Sequence, residues 1–183
     1  MRIISGIHKG RRIQAPKNLP VRPTTDMSKE ALFNILRHRK HIPGIKVLEL
    51  FAGSGNMSYE FGSRGAASIL AVDQHKPCLD FIKKTATSLN LPIDTNKADA
   101  FSFLEKHKGS YDLIFADPPY GLEEEQFHSI ATLVMENELL VPGGIFIMEH
   151  SKHTDLSNHQ WLESSRRYGG TVFSFFENPD EEE

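Results

Sequence analysis

The chain of 183 residues has one cysteine, Cys78, which excludes an internal disulfide and suits a reducing compartment. Cys78 stands at the start of a predicted helix, Pro77 to about Leu89, and reads as a packing residue. Long apolar runs are missing too. No stretch approaches the length of a membrane span, and the N-terminus lacks a signal-peptide apolar core. The expected location is therefore cytoplasmic, away from membranes. Clustered metal ligands are also missing: the nine histidines are scattered, and Glu149, His150 and His153 have no fourth ligand nearby in sequence. No metal is expected. There is no internal repeat, and the one biased segment is the closing Asp180-Glu181-Glu182-Glu183, read as an acidic disordered tail over 178–183. What is left suffices for one domain with a real core, with a monomer as the default.

Acids are scarce in one region only. Residues 1–46 hold 11 of the 21 Lys and Arg but 2 of the 24 Asp and Glu, a balance of +9. The remainder carries a balance of −12. Such asymmetry is the electrostatic footprint of a polyanion partner rather than a property of the whole surface. Phosphate contacts from Lys9, Arg11, Arg12 and Lys17 would give sequence-independent, salt-sensitive affinity. A solvated basic arm without a partner is the plainer reading.

The most informative residues are Asp117-Pro118-Pro119-Tyr120, directly after the apolar run Leu113-Ile114-Phe115-Ala116. A Pro-Pro pair removes two N–H donors and fixes φ, so the strand must stop there. The carboxylate, a proline carbonyl and the Tyr face are left at the sheet's rim, where ligands of open α/β sheets sit. Together they could grip a flat, amine-bearing ring. A strand-ending turn with a helix-capping acid is the bland alternative.

Upstream, Val47-Leu48-Glu49-Leu50 runs into Phe51-Ala52-Gly53-Ser54-Gly55, with a helix expected from about Asn56. Glycines allow close backbone approach to a ligand, and a helix start offers free N–H groups. Position 58 is Ser, so the three-glycine dinucleotide fingerprint is incomplete. An acid four residues before the first Gly suits a zwitterionic amino-acid end better than a pyrophosphate. Asp73, with Gln74 beside it, ends a second strand about 20 residues after the glycines, where a carboxylate can accept both ribose hydroxyls. Asp99-Ala100-Phe101 follows a third strand and could meet an adenine amine and ring. Each acid alone also reads as a helix N-cap or loop residue. The ordered series Glu49, Gly53, Gly55, Asp73, Asp99, Asp117 is harder to dismiss.

That series resembles the class I S-adenosylmethionine-dependent methyltransferases, and Asp-Pro-Pro-Tyr resembles their amino-methylating branch. Arg2-Ile3-Ile4-Ser5-Gly6, Lys9-Gly10-Arg11-Arg12, Arg22-Pro23-Thr24-Thr25-Asp26 and Glu30-Ala31-Leu32-Phe33-Asn34 narrow the likeness. They resemble the RsmD-type guanine-N2 methyltransferases of bacterial small-subunit (16S) ribosomal RNA, over nearly the whole chain. The resemblance implies S-adenosyl-L-methionine as cofactor. Glu49 to Gly55 would hold its methionine, Asp73 its ribose, Asp99 and Ala100 its adenine. Asp117 to Tyr120 would hold the target guanine, Asp117 touching the cofactor as well, while Arg22, Thr24 and Thr25 join the basic arm in substrate binding. Glu49 stands where Asp is commoner, and Asn56-Met57-Ser58-Tyr59 replaces the usual small apolar run.

The expected architecture is α/β: a Rossmann-like, seven-stranded, mostly parallel sheet with an antiparallel C-terminal hairpin and a small N-terminal β-hairpin. Strands are expected near 46–51, 68–72, 93–97, 111–116 and 144–149, with helices between them. Runs at about 161–168 and 171–176 flank Gly169-Gly170, a hairpin signal. Arg2–Ser5 and Arg11–Ala15 suggest the N-terminal hairpin, and Asp26 is expected to cap a helix with Ala31, Leu32, Ile35 and Leu36 on its apolar face. The units expected are a basic arm over 1–25, a methyltransferase domain over 26–177 and the tail. The partner expected is ribosomal RNA, either naked or inside an assembling small subunit. The alternatives are a DNA or RNA adenine-N6 methyltransferase, a protein-glutamine methyltransferase, a non-catalytic RNA-binding module and, least supported, a nicotinamide oxidoreductase.

Overall fold

The structure is a computed structural model that describes residues 1–21 and 24–178. Arg22, Pro23 and the acidic residues of the tail lie outside the described residues. Seven strands form one sheet: β1 Lys46–Leu50, β2 Ser68–Asp73, β3 Ile93–Lys97, β4 Tyr111–Ala116, β5 Leu140–Ser151, β6 Leu162–Tyr168 and β7 Thr171–Glu177. Their order is β3-β2-β1-β4-β5-β7-β6. The first five pair in parallel; β7 runs antiparallel to β5 and β6. This is the expected sheet, hairpin included.

Central strands read as continuous apolar runs because both of their faces are covered. Leu48, Leu50, Ile114 and Phe146 face one core with Phe127, Ile130 and Val134 of helix α5, Glu124–Glu136. Val47, Leu113, Phe115 and Ile147 face a second core with Leu32, Phe33 and Leu36 of helix α1, Asp26–Leu36. Met57 and Phe61 of helix α2, Asn56–Ser63, complete that second core. Helices α3, Lys76–Leu89, and α4, Ala100–Lys106, provide the other crossovers. Among the described residues no helix is long and apolar enough to cross a membrane.

One local expectation changes and another is met. Thr25, not Asp26, caps α1: its backbone is extended and its side chain accepts the Ser28 N–H at 3.1 Å. The N-terminal hairpin forms as expected, with Arg2 opposite Arg12 and backbone bonds pairing Met1 with Ile13 and Ile3 with Gly10 and Arg11. It is also tied to α2. The N–H groups of Ile4 and Ser5 donate to the buried Glu60 carboxylate at 2.8 and 3.1 Å, and that of Ile7 donates to the Ser63 carbonyl. The arm is thus stitched onto α2 in addition to its own hairpin bonds.

Lys29 of α1 completes the stitching. It is fully buried, donates to the Arg2 carbonyl at 2.6 Å and to Asn56 Oδ1 at 2.9 Å, and pairs with Glu60 at 3.2 Å. Burial pushes its pKa down, while Glu60 opposes that shift. Arg64 closes on the other side of Glu60 at 2.9 Å and lies over the Phe33 ring.

Candidate active site

Strand order reverses between β1 and β4, and in such sheets ligands bind beyond the carboxyl ends of the strands at that point. A cavity of about 740 Å³ opens there. It is lined by Phe51 and Gly53 after β1, Asp73 and Gln74 after β2, Asp99, Ala100 and Phe101 after β3, and Asp117 to Tyr120 after β4. Ten of the predicted cofactor and catalytic residues therefore meet around one space: Phe51, Gly53, Asp73, Gln74, Asp99, Ala100, Asp117, Pro118, Pro119 and Tyr120. Tyr120 is 65% exposed and stands at the mouth.

Glu49, Ala52, Ser54 and Gly55 are placed behind this wall. Glu49 is buried, and its carboxylate accepts from the backbone N–H and hydroxyl of Ser58. Burial pushes its pKa up to about 8, against the lowering by Ser58. Gly55 serves packing: at φ +85° a Cβ would lie 2.8 Å from Ile82 and Tyr59. Gly53, at φ +55°, touches the cavity, and a Cβ there would meet Val21 at 3.0 Å. The two glycines thus answer different demands.

Asp73 ties the turn together. One of its oxygens accepts the Gly53 N–H at 2.9 Å and the other the His75 N–H at 2.8 Å. Each oxygen keeps a further acceptor site for a ligand. Asp99 caps α4 by accepting the Ser102 N–H at 3.0 Å and also lines the cavity. Burial raises the Asp117 pKa well above its ordinary range, with Glu149 and then Glu49 adding to the rise.

The cavity wall carries Asp73, Asp99 and Asp117 and, among the described residues, no Lys or Arg; His75 is its basic side chain. Such a lining attracts a cationic ligand and repels a pyrophosphate. Pro20, Val21, Cys78 and Leu122 line it as well, and sequence reasoning missed them as site residues. Pro20 and Val21 arrive through the fold of the arm, which leaves no local signal. Cys78 is a buried wall residue whose thiol pKa is pushed up to about 11 by burial, then by Asp73.

The residues predicted for RNA lie elsewhere. Lys9, Arg11 and Arg12 are exposed on the arm. Arg12 joins Arg2 and Lys17 around a groove of about 840 Å³ that shares Val21 with the acidic cavity. Thr24 is buried, and its hydroxyl donates to Glu149 at 2.7 Å; Thr25 is the α1 cap. Arg22 lies outside the described residues. His150 bonds Ser174 and the Ser151 carbonyl, and among the described residues no group of three potential metal ligands is present.

A family model described as Conserved hypothetical protein 95 matches residues 1–177. The chain is 33% identical over 152 residues to a ribosomal RNA small subunit methyltransferase D of Buchnera aphidicola, covering 82% of this chain and 76% of that one. To the protein of the same name in Escherichia coli it is 35% identical over 128 residues, covering 68% and 64%. Among solved structures, a hypothetical protein of Thermus thermophilus superposes with a TM-score of 0.83 at 24% identity, covering 97% of this chain and 99% of that one. The T. thermophilus 16S rRNA N2 G1207 methyltransferase (RsmC), solved with AdoMet and guanosine, superposes with a TM-score of 0.70 at 16% identity, covering 85% and 44%. These two structural likenesses speak for the fold.

Proposed function

The chain belongs to the RsmD-type methyltransferases, the family described as Conserved hypothetical protein 95, and we propose that it moves a methyl group from S-adenosyl-L-methionine to the exocyclic N2 amine of a guanine in small-subunit (16S) ribosomal RNA. The observation that carries this reading is the acidic cavity ending in Asp117-Pro118-Pro119-Tyr120. S-adenosylmethionine bears a sulfonium and an ammonium, so a wall of carboxylates without Lys or Arg among the described residues fits it. The Gly53 turn would take its methionine end, Asp73 its ribose, and Asp99, Ala100 and Phe101 its adenine.

Guanine's exocyclic amine is a poor nucleophile, because its lone pair is delocalised into the ring. Asp117 and the Pro118 carbonyl would accept its two hydrogens, favouring a pyramidal nitrogen whose lone pair points at the methyl carbon. Tyr120 would stack on the base, a contact worth about 1–3 kcal/mol. As the N–C bond forms, the C–S pair returns to sulfur, which leaves as a neutral thioether. The nitrogen's proton becomes acidic only once it is methylated. Most of the acceleration would come from holding nitrogen and methyl in line at about 3–3.5 Å. A base within folded RNA must be unpaired or flipped out to reach Asp117.

Lys9, Arg11, Arg12 and Lys17 would hold the phosphate backbone from the arm, in the cytoplasm where ribosomal particles assemble. The test is incubation with methyl-labelled S-adenosylmethionine and separate pools of ribosomal RNA, small-subunit particles and DNA, followed by nucleoside analysis. Label in N2-methylguanosine from small-subunit RNA is expected. Label in N6-methyladenosine, or transfer to DNA alone, would overturn the assignment.

A further inference from the structure

Strands β4 and β5 pair in parallel register, with Phe115 beside Ile147 and Ala116 beside Met148. The paired register ends there; carried one step further it sets Asp117 against Glu149, and the two carboxylates interact electrostatically. Paired positions share a face of the sheet, and neighbouring strands lie about 4.8 Å apart. Glu149 is 6% exposed, and its recorded donor is the Thr24 hydroxyl at 2.7 Å. Thr24 is itself held: its carbonyl accepts from Asn56 Nδ2 at 2.9 Å, and Asn56 Oδ1 accepts from the buried Lys29 ammonium at 2.9 Å. Among the described residues, no Lys or Arg forms an ion pair with Asp117 or Glu149. The other charged groups on this side are Glu49 on β1, Asp73 after β2, Lys29 on α1 and Glu60 on α2, the last two paired together.

Two adjacent carboxylates in a desolvated site cannot both remain ionised at low cost, so such a pair takes up one proton unusually readily. Resting on the reading that Asp117 meets the substrate amine, we infer that Glu149 is a positioning residue for it. The two carboxylates act as a dyad that accepts, as one shared proton, the proton released by the nitrogen on methylation. The N–H pair stays on nitrogen as the proton moves to the cavity-facing oxygen of Asp117. Glu149, whose ionised form the Thr24 hydroxyl favours against burial, raises the proton affinity of that oxygen, and the dyad then loses its proton to water. The upward shifts at both groups run the same way: burial first, then Glu149 for Asp117, and burial against Thr24 for Glu149.

The test is the pH profile of single-turnover methyl transfer to small-subunit RNA. Wild type loses rate as pH falls and Asp117 becomes protonated before reaction. In Glu149→Gln the negative neighbour is gone, so this acid limb moves to lower pH by about one unit or more. The rate on the plateau also falls, because Asp117 is a weaker acceptor. Asp117→Asn, which cannot titrate, has no such limb. A purely structural Glu149 would lower the folded fraction and the melting temperature at every pH without moving the limb. An unmoved limb in folded Glu149→Gln overturns the dyad. Should that variant fold poorly, infrared titration of the wild type decides instead. A carboxyl band protonating well above the ordinary carboxylate range and absent in Asp117→Asn supports the dyad; no such band refutes it. Methyl transfer with an unmoved limb sinks the dyad alone, whereas wild type that transfers no methyl to RNA sinks the functional reading beneath it.

Discussion

The arm and the cavity meet at Val21, yet they carry opposite charge and are held by opposite means. Residues 1–21 include five Lys or Arg and no acid, and those cations project into solvent. The cavity carries three carboxylates on a wall without Lys or Arg among the described residues. The arm is a short hairpin fastened to the body by buried charge at Lys29 and Glu60. The cavity is fastened by apolar strands on both sides and by Asp73 across the turn. One molecule can thus offer a polyanion and a cationic cofactor separate electrostatic environments a few residues apart. Net charge, at −3, reveals neither.

The largest expected effect breaks the seam between the two regions. Lys29→Met leaves Glu60 and the Arg2 carbonyl without their buried ammonium and should cost about 3–5 kcal/mol, read by denaturant unfolding. Its residual folded protein should lose RNA binding more than cofactor binding. Asp117→Ala acts on the cavity alone. Methyl transfer should fall on the order of 10²–10³-fold, as for removal of a positioned polar group, with the calorimetric cofactor affinity little changed. An equal loss of cofactor affinity would place Asp117 on the cofactor instead.

Gly55→Ala should destabilise by about 1–3 kcal/mol, since a Cβ at φ +85° is strained and meets Ile82 and Tyr59. Gly53→Ala should cost less in melting temperature but disturb cofactor binding, because its obstacle is the movable Val21 side chain on the cavity rim. Identical profiles for the two variants would erase the distinction between packing glycine and site glycine.

Glu49 gives a pH signature to the cavity side. Its folded pKa is about 8 against an ordinary 4.5, so the folded state binds its proton more tightly than the unfolded state does. Its contribution to stability is complete below about 4.5 and is lost as pH rises towards 8. Melting temperatures measured across that window should decline less in Glu49→Gln than in wild type. The smallest effect belongs to the arm surface. Replacing Arg11 and Arg12 by Ala should weaken RNA binding evenly across sequences and reduce the salt slope by roughly one per lost phosphate contact. Stability should be unchanged, because both side chains are exposed.

The sheet was legible because its central strands are buried on both faces and so read as unbroken apolar runs, such as Leu113 to Ala116. The Pro118-Pro119 stop and the spacing of Asp73 from Gly53 mark the rim in the sequence itself. What stayed hidden depends on contacts between segments far apart in sequence. Lys29 looks like an ordinary helical lysine until Glu60 and Arg2 close on it. Glu149, weighed as a metal ligand beside His150, instead faces Thr24 across 125 positions of chain. The arm's attachment to α2 rests on Glu60 taking the N–H groups of Ile4 and Ser5, which no strand propensity registers.

The most direct measurement is calorimetric titration of the protein with S-adenosylmethionine and, separately, with NAD. A cavity selected for a cationic sulfonium should bind the first with one site per chain, weakened by Asp73→Ala, and leave the second unbound. Saturable NAD binding with no heat from S-adenosylmethionine would contradict the account.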